Sequence, residues 1–293
     1  RHPSMLLADT YECTDGKRID ESPLYDPKHP QRNRDPRFRA TLRMHGDTCV
    51  GNTTGTDAGK IKVVLNAYDE NTKQYDYSAQ TWKTVTNMDV NSSAAWTSFT
   101  YMGAGYIWGK MTSDSVESIQ SSIIHYPIMR YAEVLLTYAE AKIELNELNQ
   151  SVYDAINEVR RRAKMPPVDN DRIGDVTKMK QLVRRERKVE LALEGLHFVD
   201  MRRWKIGDLE NEHDSYGVPL IERGGYEGMT ERPFFKTTDR HDLNDIANYE
   251  AYKDKLRLAV PGRFWDPKFE LWPIPQQEIF LNPALTPNPG YTN

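Results

Sequence analysis

The sequence predicts a mostly α protein: helical hairpins flanked by long ordered loops and a few short strands. Three observations lead there. Between Tyr126 and Lys205, apolar residues recur at spacings of three and four, with turn signals between the runs. Outside that block the period vanishes: residues 1–45 are rich in Pro, Asp and Arg, and 46–104 in Gly and Thr. The 293 residues, 38% hydrophobic and 28% charged, fit a chain that buries a core.

Each element has its own signal. In YDPKHPQRNRDPRF (25–38) every X-Pro disfavours helix for the residue before it, so an ordered loop or a linker is expected. Phe38, Leu42 and Met44 alternate like a short strand, and KVVLNAY (62–68) reads as another. A first helix opens with Pro127 in its first turn and faces inward with Ile128, Tyr131, Leu135, Tyr138 and Ala139. Ser151 and Asp154 resemble a capping box for a second, with Val152, Ala155, Ile156, Val159 and Ala163 inward and Pro166-Pro167 as the stop. A third spans 175–194, buries Val176, Met179, Leu182, Val183, Val189 and Leu193, and ends at Gly195 in a left-handed turn. A short fourth uses Phe198, Met201 and Trp204. Consecutive hairpins suggest tetratricopeptide-like packing, although Tyr138 and Ala155 stand too far apart for the standard unit. Residues 269–291 alternate Pro with apolar residues and predict a docked tail without helix.

Charge and motifs exclude several chemistries. Net charge is −4, with basic and acidic residues interspersed, which argues against a nucleic-acid surface. Cys13 and Cys49 are too few for a disulfide framework, and no hydrophobic run approaches the ~20 residues of a membrane span. GNTTGTDAGKI is not a phosphate loop, because Thr54 and Ile61 stand where Gly and Ser or Thr are needed. DNDRIGDVTKMK puts Ile173 and Lys180 at ligand positions of a calcium loop. The His residues show no metal-binding spacing, and no cofactor is expected. Glu186, Glu190 and Glu194 share one helical stripe, whereas glycosidase carboxylates flank a cleft. An ion-pair lattice between the third and fourth helices is expected instead, with Arg184, Arg187, Arg202 and Arg203 as partners. Arg160 to Arg162 read as a solvated face or more of that lattice.

Four stretches together carry a resemblance: YDPKHPQRNRDPRF (25–38), GYIWGK (105–110), the block 130–204, and LWPIPQQEIFLNPALTPNPGY (271–291). In this order they resemble the C-terminal part of the SusD/RagB family, the glycan-binding outer-membrane lipoproteins of Bacteroidetes. The resemblance implies a SusD-like fold over 1–293: a loop-rich ligand-side segment (1–125), a helical hairpin core (126–206), and a loop-rich segment with docked tail (207–293). It also implies non-catalytic capture of an oligosaccharide or similar nutrient at the cell surface, for delivery to a SusC-like TonB-dependent transporter in polysaccharide utilization. The family's lipidated first half is not matched here, so membrane contact is expected only through an anchor outside this sequence.

The aromatic loop segment suits such a ligand. The apolar C–H face of a sugar stacks on Trp or Tyr, which combine large area with few rotatable bonds. Trp82 and Trp96 are the expected platforms, with Tyr75, Tyr77 and Tyr101 in support; local core under a long loop is the alternative role. Trp108, Trp204 and Trp272 fall within framework motifs and are assigned to the core, and Trp265 is left open. The alternative function is a helical-repeat scaffold for protein or peptide; a glycoside hydrolase is a third.

Overall fold

The computed structural model describes residues 3–52, 60–87, 90, 105–112, 125–211, 214–231, 234–235, 247–249 and 251–292. In chain order it places α1 (Met5–Thr10), α2 (Pro36–Thr41), β1 (Leu42–Met44), β2 (Thr48–Asn52), β3 (Lys60–Val64), β4 (Asn71–Asp76), β5 (Thr81–Thr86) and β6 (Tyr106–Trp108). The helices α3 (Tyr131–Glu144), α4 (Gln150–Arg162), α5 (Val176–Glu190), α6 (Leu196–Arg203) and α7 (Gly207–Asn211) follow. After them come β7 (Ser215–Pro219), β8 (Phe234–Phe235), β9 (Ala247–Asn248), β10 (Leu256–Val260) and α8 (Gln276–Leu281).

The helical core lies among α3, α4 and α5. Val152, Ala155, Ile156 and Val159 of α4 meet Met179, Leu182 and Val183 of α5, and all are buried. These stripes are the predicted ones. On α3 the inward residues are Leu136, Ala139 and Ile143, with Ala132 and Leu135 packed at the edge. The expected face was wrong for three residues: Ile128, Tyr131 and Tyr138 are 94%, 64% and 40% exposed. The helix is apolar on both sides, so its period does not say which side turns inward.

The helix ends also differ from expectation. Pro127 lies ahead of the N-cap Arg130, outside the first turn of α3. Asn149, not Ser151, caps α4 by accepting from the Ser151 amide. Asp175 caps α5 through the Lys178 amide at 3.0 Å. That helix stops at Glu190, and the chain then turns through Leu193 (φ 65°) and Gly195 (φ 81°). Phe38 belongs to α2, started by the Asp35 cap and Pro36, so the predicted strand is confined to Leu42–Met44. The tail contains a helix, α8, with Phe280 84% exposed.

Residues 46–87 hold more strand than their irregular composition suggested. β2, β3, β4 and β5 form an antiparallel sheet in that order. β1 pairs with β6, Leu42 opposite Trp108. At the entry to β6, Gly105 has φ 71°, and a Cβ there would sit 1.8 Å from Val218 Cγ1. Only glycine fits that approach.

A buried ion-pair lattice ties distant motifs together. Glu186 accepts from Arg37 at 2.7 Å and Arg160 at 2.5 Å. Glu190 accepts from Arg37 at 3.1 Å, Arg130 at 2.5 Å and Arg162 at 2.5 Å. Glu194 accepts from Lys110 at 2.5 Å and Arg130 at 2.7 Å. Glu12 adds Arg160 at 2.9 Å and Arg185 at 2.6 Å. The lattice was expected, and Arg160 and Arg162 join it as one of the two readings of their run allowed, but Arg184, Arg187, Arg202 and Arg203 are not the partners of the Glu stripe. Arg187 lies on the other side of α5, where it grips Asp200 at 2.9 Å, and Arg203 meets Glu140 at 2.6 Å. Arg184 approaches Glu144, and Arg202 lies over Trp272. The Glu stripe instead faces α2, α4 and the turn after β6. Burial opposes ionisation of Glu186, but Arg37 and Arg160 outweigh it and bring its pKa to about 2.

Candidate functional site

The sheet sets out the aromatic residues of 75–82 in a row. Tyr75 and Trp82 are directly opposite on β4 and β5. Val63 lies opposite Gln74, which brings Lys62 of β3 alongside Tyr75. Side chains alternate across a strand, so Lys73, Tyr75 and Tyr77 share one face. The buried Thr72 belongs to the opposite face, where its hydroxyl donates to Val64 O at 2.6 Å. The row therefore looks outward.

Its geometry is that of an edge-on cluster. The Tyr75 and Trp82 ring centroids are 5.5 Å apart at 71°, and those of Tyr75 and Tyr77 are 5.1 Å apart at 82°. Such pairs hold each other in place by quadrupole attraction. Lys62 Nζ stands 5.4 Å from both the Tyr75 and the Trp82 centroid. Trp82 is 39% and Tyr77 44% exposed, whereas Tyr75 is half-buried between them. Next along the face, Lys73 Nζ donates to Thr84 Oγ1 at 2.7 Å. The result is a shallow apolar surface edged by an ammonium group and hydroxyls. It can stack on one face of a ring and hydrogen-bond to that ring's substituents.

The structure thus brings together Tyr75, Tyr77 and Trp82. Trp96 and Tyr101 lie outside the described residues. Sequence inspection missed Lys62, Lys73 and Thr84. The signal was present in NTKQYDYSAQTWKTVT (71–86), whose residues alternate on both sides of a turn.

The other tryptophans divide differently from expectation. Trp108 and Trp204 are half-buried, and the Trp204 indole donates to Glu140 at 2.7 Å. Trp265 is half-buried against Gly207, where a Cβ would come within 2.1 Å of its ring. Trp272 is not core: it is 70% exposed, with Phe198 and Arg202 against it at 5.9 and 4.5 Å. A framework motif had suggested burial, but the tail holds this indole on the surface.

The carboxylates of α5 and of the turn after it are taken up by the ion-pair lattice. Glu186, Glu190 and Glu194 are 1%, 4% and 8% exposed, each engaged by cations. Among the described residues, no group of His, Cys, Asp and Glu is arranged to hold a metal, and no helix is long and apolar enough to cross a membrane.

Comparison with known proteins gives a consistent picture. Residues 2–291 match the SusD family. The curated SusD-like protein P2 of Formosa agariphila is 28% identical over 178 residues, which cover 59% of this chain and 27% of that protein. A SusD-like carbohydrate binding protein of Bacteroides fragilis is 26% identical with a TM-score of 0.59, covering 97% of this chain and 48% of that one. A second SusD-like protein of Bacteroides fragilis, 23% identical with a TM-score of 0.62, shares the fold over 99% of this chain and 47% of its own. The chain spans less than half the length of these relatives.

Proposed function

Because the chain belongs to the SusD family, we propose that it binds an oligosaccharide at the cell surface without cutting it and passes it to a TonB-dependent transporter. The observation that carries the reading is the outward row of Tyr75, Tyr77 and Trp82 with Lys62 over two of its rings. A pyranose lays its C–H face on Trp82, and Lys62, Lys73 and Thr84 are placed to pair with its hydroxyls. Trp96 and Tyr101 are proposed as further contacts on sequence grounds. A solved relative at 26% identity carries a carbohydrate-binding description, which supports the ligand class. The location that follows is the outer face of the outer membrane, beside the transporter.

Calorimetry against a glycan panel tests the reading. The double substitution Tyr75→Ala plus Trp82→Ala should weaken the best ligand by about tenfold or more, since each ring contributes roughly 1 kcal/mol beyond its area. Unchanged affinity would remove this face as the site. A second reading, a protein-binding scaffold, is favoured by the exposed apolar side of α3 around Ile128, Tyr131 and Val134. Capture of the transporter with no heat from any glycan would favour it.

A further inference from the structure

A cavity of about 360 Å³, lined by none of the residues of the aromatic row, lies between α1, the C-terminal half of α5, α6 and β7. Its walls are mainly apolar: Met5, Leu6, Trp108, Leu193, Met201 and Tyr216. This is within the size range of sites for small molecules, and its lining is of the same kind. A sugar enclosed here would set its ring of hydroxyls against these apolar walls and leave many of them unpaired.

One wall is charged. Lys188 Nζ stands 2.9 Å from Glu210 Oε1, and His197 Nε2 stands 2.7 Å from Glu210 Oε2. Burial opposes the Glu210 charge, but Lys188 and His197 hold its carboxyl well below its ordinary range. Glu210 is therefore an anion that takes the Nε2 proton in a hydrogen bond. The other ring nitrogen, His197 Nδ1, is buried with no hydrogen-bond partner among the described residues. Arg263 completes the wall. It donates to Asn211 Oδ1 and feels the charge of Glu210, with no carboxylate of the described residues within ion-pair distance of it. Among the described residues that line the wall, two cations, Lys188 and Arg263, thus face one carboxylate, Glu210, with one positive charge in excess.

We propose that this cavity is a binding site for a small amphipathic monocarboxylate. The ligand's apolar body lies among Met5, Leu193 and Met201, and its carboxylate is gripped by Arg263 with the His197 Nδ1 edge beside it. An arginine fork suits the planar anion, and burial beside apolar walls strengthens the pairing. The assignment is independent of the aromatic face on the sheet.

Ligand-observed NMR on the 293-residue chain tests it, with 3-phenylpropionate as the probe and 3-phenylpropionamide and glucuronate as comparators. The acid is expected to bind with Kd of about 1 mM or tighter. The amide, which lacks the charge, and glucuronate, which lacks the apolar body, should each bind about tenfold more weakly. Arg263→Gln should remove that preference of acid over amide, and Leu193→Trp, which fills the space, should abolish binding of both. Equal affinity for acid and amide in the wild type would overturn the proposal, as would no binding of the acid at all. The wild-type comparison stands even where a variant fails to fold.

Discussion

Arg160 has the most confined charge among the described residues. It is 0% exposed and divides its guanidinium between Glu12 and Glu186. Removing one partner from a buried ion pair leaves the others desolvated and uncompensated. Arg160→Ala is expected to destabilise the fold by about 3–5 kcal/mol, measured by urea unfolding. The exposed Arg161 next to it should change stability by less than about 0.5 kcal/mol on the same substitution. Equal losses at the two positions would contradict the lattice. None of this inequality was legible in the sequence. The run Arg160-Arg161-Arg162 shows three like residues, and only the pitch of α4 against Glu12 and Glu186 distinguishes the first. The pairing of Tyr75 with Trp82 is different in kind. It was readable from alternation about a turn, and its cost in stability is small because the rings stay half in water.

At the scale of the element, α3 and α4 make an instructive pair. The stripe of α4 was legible because polar residues occupy its whole outer side, so the period has one solution. On α3, Tyr131, Val134 and Tyr138 face outward and Leu136, Ala139 and Ile143 inward, so the pattern admits two. Burial makes the difference measurable. Leu136→Ala should cost about 2–5 kcal/mol through the lost methyls and the remaining void. Tyr138→Ala, which gives up a 2.7 Å hydroxyl contact with Ser151, should cost under about 1 kcal/mol. Thermal unfolding of the two variants decides the inward face. Similar losses would mean that α3 is buried on both sides in solution.

At the scale of the whole molecule, two buried carboxyls act in opposite directions on acid stability. Burial raises Asp9 to about 6, against Arg34 and the Tyr249 hydroxyl that donates to it at 2.8 Å. An acid raised on folding holds the extra proton in the folded state, so lowering the pH through about 6 toward 3.8 favours folding. Glu186 is lowered to about 2 from 4.5, so its stabilisation is complete above 4.5 and is lost as pH falls toward about 2. The loss amounts to roughly 3 kcal/mol. Urea midpoints at three pH values test both effects. Asp9→Asn should exceed the wild type at about pH 7 and lose that advantage near pH 4, below which the wild type should fall steeply. A constant gap between the two proteins would rule out Asp9 as the titrating group.

The salt links around Glu12 and Glu190 also constrain how the chain comes into being. Glu12 waits for Arg185, 173 positions later, and Arg37 for Glu190, 153 positions later. A polypeptide leaving the ribosome therefore holds Glu12 and Arg37 without these two partners until residues 185–190 have been made. Closure is delayed and collective, and a nascent chain halted before Arg185 should be as open to protease at residue 12 as at residue 150.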